Sequence, residues 1–181
     1  MRLGVYVGSF DPIHDGHIKL VNYLLDNNYV DKIFMIPTNS YWDKQVSSID
    51  DRINMLKFFE TKNIIIDTIH NNFPYTYQIL ESIKKEYPKE SIYLIIGSDN
   101  IINFHKWERV DLLLKYQIIV VNRNDLEVNS FIEKLGKEHF IVVDKFPFLP
   151  ISSTSIRSGC EKYIDPRVLN YIKTNHLYEK K

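Results

Sequence analysis

The sequence predicts an α/β fold: a Rossmann-like, doubly wound, mostly parallel sheet of about five to six strands with helices on both faces. Six short apolar runs alternate with stretches of helical periodicity, which is typical of a sheet buried on both sides. No internal repeat, low-complexity segment or linker interrupts this alternation, and 181 residues suffice for one substantial core. We therefore expect residues 1–181 to form a single domain.

The predicted elements follow one another with short connections. The strands are expected at residues 3–7, 32–36, 64–66, 92–96, 118–121 and 140–143. Three helices are expected over residues 75–87, 110–116 and 130–136. Four more are expected to begin near Asp15, after a cap at Asp50 or Asp51, after a cap at Ser152 or Ser153, and near Pro166. The long loops follow the first, second and fourth strands, at the edge where open α/β sheets bind ligands.

Composition narrows the class of protein. The 23 Lys and Arg residues balance 23 Asp and Glu residues, so a general nucleic-acid or membrane-surface binder is not indicated. The single cysteine, Cys160, excludes an internal disulfide and a cysteine-rich zinc site and fits a reducing compartment. The chain opens on a strand pattern rather than a leader pattern, and no apolar run has membrane-spanning length. We expect a cytoplasmic protein, and its oligomeric state is left open.

The stretch from Gly8 to His17, Gly-Ser-Phe-Asp-Pro-Ile-His-Asp-Gly-His, joins the first strand to the first helix. If that helix begins near Asp15, His17 lies in its first turn and His14 just before it. Both imidazoles can then face one bound anion, together with the N–H groups and the positive dipole end of the helix. The pattern therefore indicates a phosphate-handling turn.

The alternative is that each histidine only caps or packs against the helix, which is the commoner role of a lone histidine. Two imidazoles that flank a glycine at such a turn favour the phosphate site. The turn lacks the Gly-x-Gly-x-x-Gly spacing of dinucleotide-binding proteins and the lysine of a P-loop. A metal site is disfavoured as well, because no third ligand follows at a suitable spacing.

Polar groups also follow later strands. Gly97 permits a close backbone approach or an unusual dihedral angle, and Asp99 suits ribose hydroxyls, with helix capping as its alternative. Trp107 can stack on a flat heterocycle or anchor the next helix in the core. The hydroxyls of residues 152–154 and the guanidinium of Arg157 suit a polyphosphate, with a plain cap and a surface arginine as the alternative.

The segment from Gly8 to His17 resembles the signature of the nucleotidyltransferase superfamily with a His-x-Gly-His motif. Further blocks are similar to motifs of the bacterial nicotinate (nicotinamide) mononucleotide adenylyltransferase family, in its order and spacing over nearly the whole chain. They are residues 74–76, 96–100 with Phe104 and Trp107, 151–157, and 168–178. This resemblance is to the pyridine-nucleotide branch, not to the phosphopantetheine branch.

The resemblance implies an enzyme that joins ATP and nicotinate mononucleotide to give deamido-NAD and pyrophosphate in NAD biosynthesis, with Mg²⁺ bound mainly through the ATP phosphates. It implies that His14, His17 and Arg157 are catalytic and that segment 152–181 completes the ATP site. The implied ATP-binding residues are Gly8, Ser9, Phe10, Gly16, His17, Gly97, Asp99, Ser152, Ser153, Thr154 and Arg157. The implied substrate-binding residues are Ser9, Lys44, Tyr75, Thr76, Trp107 and Glu108, and Arg123 is a further basic candidate.

Two departures from the family pattern bear on the substrate. The loop after the second strand has Asp43-Lys44 where the family commonly has an imidazole before the lysine, so Lys44 alone keeps a basic group there. Glu108 stands where relatives often carry tyrosine, and a carboxylate beside that of the pyridine is unfavourable when both are desolvated. The alternatives are a nicotinamide mononucleotide adenylyltransferase, with the same chemistry, and a non-catalytic nucleotide sensor.

Overall fold

A computed structural model describes residues 1–39, 47–123 and 127–179. These residues form one parallel sheet of six strands in the order β3-β2-β1-β4-β5-β6. The strands are β1 Arg2–Gly8, β2 Lys32–Pro37, β3 Ile64–Ile66, β4 Ser91–Gly97, β5 Gln117–Val121 and β6 Phe140–Val143. Each strand ends within one residue of its predicted bounds, and the fold class is confirmed.

The centre of the sheet is fully apolar. Val5 of β1 lies opposite Phe34 of β2 on one side and opposite Leu94 of β4 on the other. These three side chains are buried, as expected for strands that are covered on both faces. The strand order reverses between β1 and β4, so the connections that leave these two neighbouring strands diverge and open a crevice at the carboxyl edge.

Helices cover both faces of the sheet. They are α1 Asp15–Asp26, α2 Ile49–Leu56, α3 Thr76–Glu86, α4 Ser98–Ile101, α5 Val110–Leu113, α6 Val128–Leu135, α7 Ser153–Arg157 and α8 Pro166–Thr174. Apolar side chains of α1, α2, α7 and α8 belong to one buried cluster, and those of α3 to α6 belong to another. This confirms the doubly wound arrangement. Within the described residues, no helix is long and apolar enough to span a membrane.

Local capping decides where the helices begin. Ser48, rather than Asp50 or Asp51, is the N-cap of α2, and its Oγ accepts a hydrogen bond from the Asp51 N–H at 3.1 Å. The prediction was wrong because the serine just ahead caps equally well, which leaves both aspartates in the first turn, where the dipole favours them. Ser152 is the cap of α7. Helix α5 ends three residues earlier than predicted, and α6 begins two residues earlier.

Candidate active site

A cavity of about 650 Å³ lies at the carboxyl edge of the sheet, between β1 and β4. Its wall combines the turn after β1, the start of α3, the segment after β4 and the start of α7. The sequence-predicted site residues among its lining are Gly8, Ser9, Phe10, His14, Gly16, His17, Thr76, Gly97, Asp99, Trp107, Ser152 and Ser153. The fold therefore brings together most of the residues that the sequence singled out.

His14 and His17 cap helix α1 and stack on each other. The Gly16 N–H donates to His14 Nδ1 at 3.0 Å, and the His14 N–H donates to His17 Nδ1 at 3.1 Å. The two ring centroids lie 3.7 Å apart, and the ring planes are inclined by 22°. The rings therefore cap the helix, as one of the two alternatives predicted, and they also line the cavity, where the phosphate role stays a prediction.

These hydrogen bonds decide where each ring carries its proton. A backbone N–H can only donate, so each Nδ1 accepts and each neutral imidazole is protonated at Nε2. Burial, followed by the positive charge of Arg123, lowers the pKa of His14 to about 4. Burial, followed by His14 and Arg123, lowers the pKa of His17 well below its usual value. At neutral pH both rings are uncharged and carry a donor on the side away from the helix backbone.

Gly16 and Phe10 hold the two rings in place. A Cβ atom at Gly16 would lie 2.8 Å from His14 Cε1 and 2.9 Å from His14 Nδ1, which is too close for any larger residue. The Phe10 ring meets His17 edge-on, with 5.1 Å between the centroids, and is itself buried. The backbone of Phe10 is in the left-handed region, at φ 47°. Both residues line the cavity and position the imidazoles.

Arg52 is a site residue that sequence reasoning missed. It is 1% exposed and donates to the carbonyl oxygens of Ser9 at 2.9 Å, Thr38 at 2.6 Å and Ser47 at 3.2 Å. One guanidinium thereby joins the loops that follow β1 and β2. The apolar pattern of α2 could not reveal this role, because the carbonyl partners are distant in the sequence.

The segment after β4 corrects two expectations. Gly97 has ordinary dihedral angles, φ −84° and ψ 162°, so the expected unusual dihedral is wrong. The lack of a side chain leaves room for Asp99, since a Cβ atom at Gly97 would lie 2.6 Å from Asp99 Oδ1. A close approach of a nucleotide to this backbone stays a prediction. Gly97 itself is the N-cap of α4, and Asp99 lies in the first turn of that helix rather than capping it. The Asp99 side chain is exposed and lines the cavity.

A second cavity of about 520 Å³ shares part of its wall with the first. Trp107 lines both cavities and also packs against buried Phe104, with 5.1 Å between the ring centroids. This packing agrees with the predicted anchoring role, and stacking on a heterocycle stays a prediction. Glu108 is exposed on this second cavity. The remaining lining is Pro74, Tyr75, Thr76, Lys106 and Leu113. The predicted substrate-binding residues that follow β3 and β4 are thus neighbours.

Helix α7 is docked on the turn after β1. Ser153 Oγ donates to the Pro12 carbonyl at 2.9 Å, and Arg157 Nη1 donates to the Asp11 carbonyl at 2.8 Å. Arg157 Nη2 lies 3.3 Å from Thr154 Oγ1. In the described part of the chain, α7 and its cap contribute residues 152 and 153 to the cavity wall, while Arg157 contacts the turn. The predicted contact from Lys44 lies outside the described residues.

The cavity wall also contains three residues that the sequence analysis did not single out and one basic residue, Arg123, that it did. Residues 71–73, in the loop after β3, add two amides and a phenyl ring to the wall. Arg123 lies there too, with its guanidinium 5.0 Å from the centre of the Phe148 ring. Across residues 1–39, 47–123 and 127–179, no group of three or more His, Cys, Asp or Glu side chains is arranged to hold a metal ion.

Similarity to known proteins agrees with this geometry. The profile of the cytidylyltransferase-like family matches residues 5–159. A probable nicotinate-nucleotide adenylyltransferase of Borrelia hermsii is 34% identical over 99% of both chains. One of Clostridium tetani is 31% identical over 99% of this chain and 96% of its own.

A solved structure supports the fold. It is the Plasmodium falciparum nicotinic acid mononucleotide adenylyltransferase complexed with NaAD, which superposes with a TM-score of 0.82 at 23% identity. The match covers 98% of this chain and 97% of that one. The chain therefore belongs to the cytidylyltransferase-like family and, within it, to the nicotinate-nucleotide adenylyltransferases.

Proposed function

We propose that this protein joins ATP and nicotinate mononucleotide to give deamido-NAD and pyrophosphate, as a cytoplasmic step of NAD biosynthesis. The observation that carries the proposal is the pair of neutral, Nε2-protonated imidazoles at the start of α1. They line a cavity that also contains the Asp99 carboxylate and the Trp107 ring. A phosphate at this helix start would meet the two Nε2–H donors and the positive end of the helix dipole.

In the proposed reaction, a 5′-phosphate oxygen of the mononucleotide attacks the α-phosphorus of ATP in line. The bond between that phosphorus and the oxygen bridging to the β-phosphate breaks, and its electron pair leaves with pyrophosphate. His14 and His17 would donate from Nε2 to the α-phosphate and to the attacking phosphate. Catalysis is then positioning plus charge stabilisation, without a protein nucleophile.

The contacts to ATP and to the mononucleotide phosphate would come from three segments: the start of α4, the turn after β1 and the start of α7. Asp99 would bind ribose hydroxyls, and Ser9 and the turn backbone would orient the substrate phosphate. The polyphosphate would lie at the start of α7, near Ser152 and Ser153, with Arg157 adding positive charge, so that segment 152–181 completes this site.

A divalent cation, Mg²⁺ in this proposal, would be held mainly by the ATP oxygens and water and would neutralise phosphate charge. Asp99 is the carboxylate on the described wall of the cavity, which fits a cation that arrives with its phosphate ligands rather than one held in a protein cage.

The pyridine would stack on Trp107 in the second cavity. The Tyr75 N–H already donates to Gln78 Oε1 at 3.2 Å, so the Thr76 N–H at the start of α3 is assigned to the pyridine carboxylate. Glu108 is exposed on this cavity, so its carboxylate stays in contact with water. These contacts favour the acid, and Glu108 is the feature that keeps the amide as the second candidate.

The test is a substrate panel read by pyrophosphate release and by mass spectrometry of the dinucleotide product. ATP is supplied with nicotinate mononucleotide, nicotinamide mononucleotide or phosphopantetheine. We expect the fastest release with the acid mononucleotide. Faster release with the amide would assign the alternative substrate. ATP binding without pyrophosphate release from any mixture would identify a nucleotide sensor instead.

A further inference from the structure

A buried carboxylate lies within the turn that carries the histidines. Asp11 is 2% exposed and stands three residues before His14. Its Oδ1 accepts from Ser47 Oγ at 2.6 Å and from the Tyr178 hydroxyl at 2.5 Å. The Ser47 N–H lies 3.2 Å from Oδ2. This side chain is therefore held by one segment that follows β2 and by another that follows α8.

The three side chains form a closed network beneath the turn. Tyr178 OH and Ser47 Oγ are themselves 3.3 Å apart, so each contacts both of the others. Burial, followed by the hydrogen bond to Asp11, raises the pKa of Tyr178 above its usual value, so the hydroxyl keeps its proton and donates. A hydrogen bond from a hydroxyl to a carboxylate is among the stronger kinds in proteins.

The backbone of the same turn is fixed from other directions. Arg157 Nη1 donates to the Asp11 carbonyl at 2.8 Å, and Ser153 Oγ donates to the Pro12 carbonyl at 2.9 Å. Arg52 Nη1 donates to the Ser9 carbonyl at 2.9 Å. Side chains from α2, α7 and the segment after α8 thus determine the path of residues 9–12, which sets where α1 and its imidazoles begin.

We propose that Asp11 and Tyr178 are positioning residues for the adenylyl transfer assigned to this site, an inference that rests on the proposed function. Because Asp11 is buried, its carboxylate acts through the turn and not on the substrates. Loss of the Tyr178 hydroxyl would let the turn shift under His14 and His17. The ribose and pyridine contacts lie on other segments, so turnover should fall while substrate affinity is retained.

The chain offers a matched pair of tyrosines for the test. Tyr171 OH also donates to a carboxylate, Asp51 Oδ1 at 2.7 Å, but between α8 and α2 rather than at the turn. We expect Tyr178→Phe to lower kcat about 10-fold, because displacement of catalytic groups by a fraction of an ångström is costly. KM for both substrates should stay within about threefold, as for a loss confined to the transition state. Tyr171→Phe should keep the kcat of the unmodified protein at a similar melting temperature.

Ser47→Ala provides a second variant that removes the other hydroxyl from the same carboxylate. We expect Ser47→Ala to lower kcat less than Tyr178→Phe does. In the double variant, the fold-loss of kcat should differ from the product of the two single fold-losses, because both hydroxyls donate to Asp11. If Tyr178→Phe does not fold, Ser47→Ala decides alone: lower kcat at unchanged KM supports the proposal, and unchanged kcat overturns it.

Unchanged kcat in folded Tyr178→Phe, or an equal loss in Tyr178→Phe and Tyr171→Phe, would also overturn the proposal. The unmodified protein in the same pyrophosphate assay separates the two failures. If it is active and Tyr178→Phe is equally active, only the positioning role is rejected. If it releases no pyrophosphate, the proposed function itself is rejected.

Discussion

Imidazoles at two places in this chain differ in which groups contact their ring nitrogens. At the start of α1, Nδ1 of His14 and Nδ1 of His17 each accept a backbone N–H. In the loop after β3, both nitrogens of His70 face carboxylates. Its Nδ1 lies 2.5 Å from Asp67 Oδ2, and its Nε2 lies 2.9 Å from Glu86 Oε2. The first pair lines the cavity, while His70 ties a loop to the end of α3.

This difference separates a histidine that can act on a ligand from one that serves the structure. Both nitrogens of the His70 ring already contact carboxylates, those of Asp67 and Glu86, so neither nitrogen is available to a ligand. Asp67 Oδ1 also accepts the N–H of Ile69 and that of His70, each at 2.8 Å, which fixes the start of the loop that reaches the cavity. At α1 the backbone N–H groups occupy Nδ1 of each ring, and the proposed phosphate contact uses the other nitrogen, Nε2.

The largest expected effect is on turnover. His17→Ala removes one Nε2–H donor and should lower kcat by about 10²- to 10³-fold, the range for the loss of one hydrogen-bond donor to developing charge. Pyrophosphate release measures the loss, and a thermal melt checks the fold. His139→Ala, before β6 at the opposite edge of the sheet, is the control and should keep full activity. Near-normal turnover of His17→Ala would contradict the proposed mechanism.

A smaller loss of turnover should follow from moving the rings rather than deleting them. In Gly16→Ala the new Cβ would fall 2.8 Å from His14 Cε1, so the ring must shift. We expect kcat to fall about 10- to 100-fold, since misplacement by about an ångström has effects of this size. Activity is again read by pyrophosphate release. Normal turnover in this variant would show that the position of the His14 ring is not critical.

For His70 the expected effect is on stability. His70→Gln can satisfy at most one of the two carboxylates, so the free energy of unfolding should fall by about 1–3 kcal/mol. Urea unfolding measures this loss. Turnover of the folded variant should stay within about threefold, because no His70 donor is left for substrate. A large loss of turnover at unchanged stability would show that His70, like His14 and His17, acts in the reaction, and would contradict its assignment as a structural residue.

The smallest effect is a pH dependence of stability. Because the pKa of His14 is lowered from 6.5 to about 4 on folding, the unfolded chain binds more protons between these values. Stability from this group is therefore lost as pH falls from 6.5 towards 4, and His17 adds to the loss in the same direction. Replacing His14 by Asn should flatten the slope by up to about 1.4 kcal/mol per pH unit, measured by urea unfolding. An unchanged slope would contradict the lowered pKa.

Local patterns predicted the fold and much of the cavity wall. Strand positions and the start of α1 follow from periodicity and from where strands end, whereas the family resemblance favoured site roles for Asp99 and Trp107 over their structural alternatives. The missed features depend on contacts between distant segments. Arg52 is buried only because three loop carbonyls converge on it, and Tyr178 reaches Asp11 from 167 positions away. Residue types and their spacing along the chain do not predict such long-range contacts.

The central claim is that His14 and His17 are neutral and protonated at Nε2. A long-range ¹⁵N–¹H correlation spectrum of the histidine rings at neutral pH reads the tautomer and charge of each ring directly. We expect the Nε2-protonated neutral form for His14 and for His17. A doubly protonated or Nδ1-protonated ring at His14 or His17 would contradict the claim.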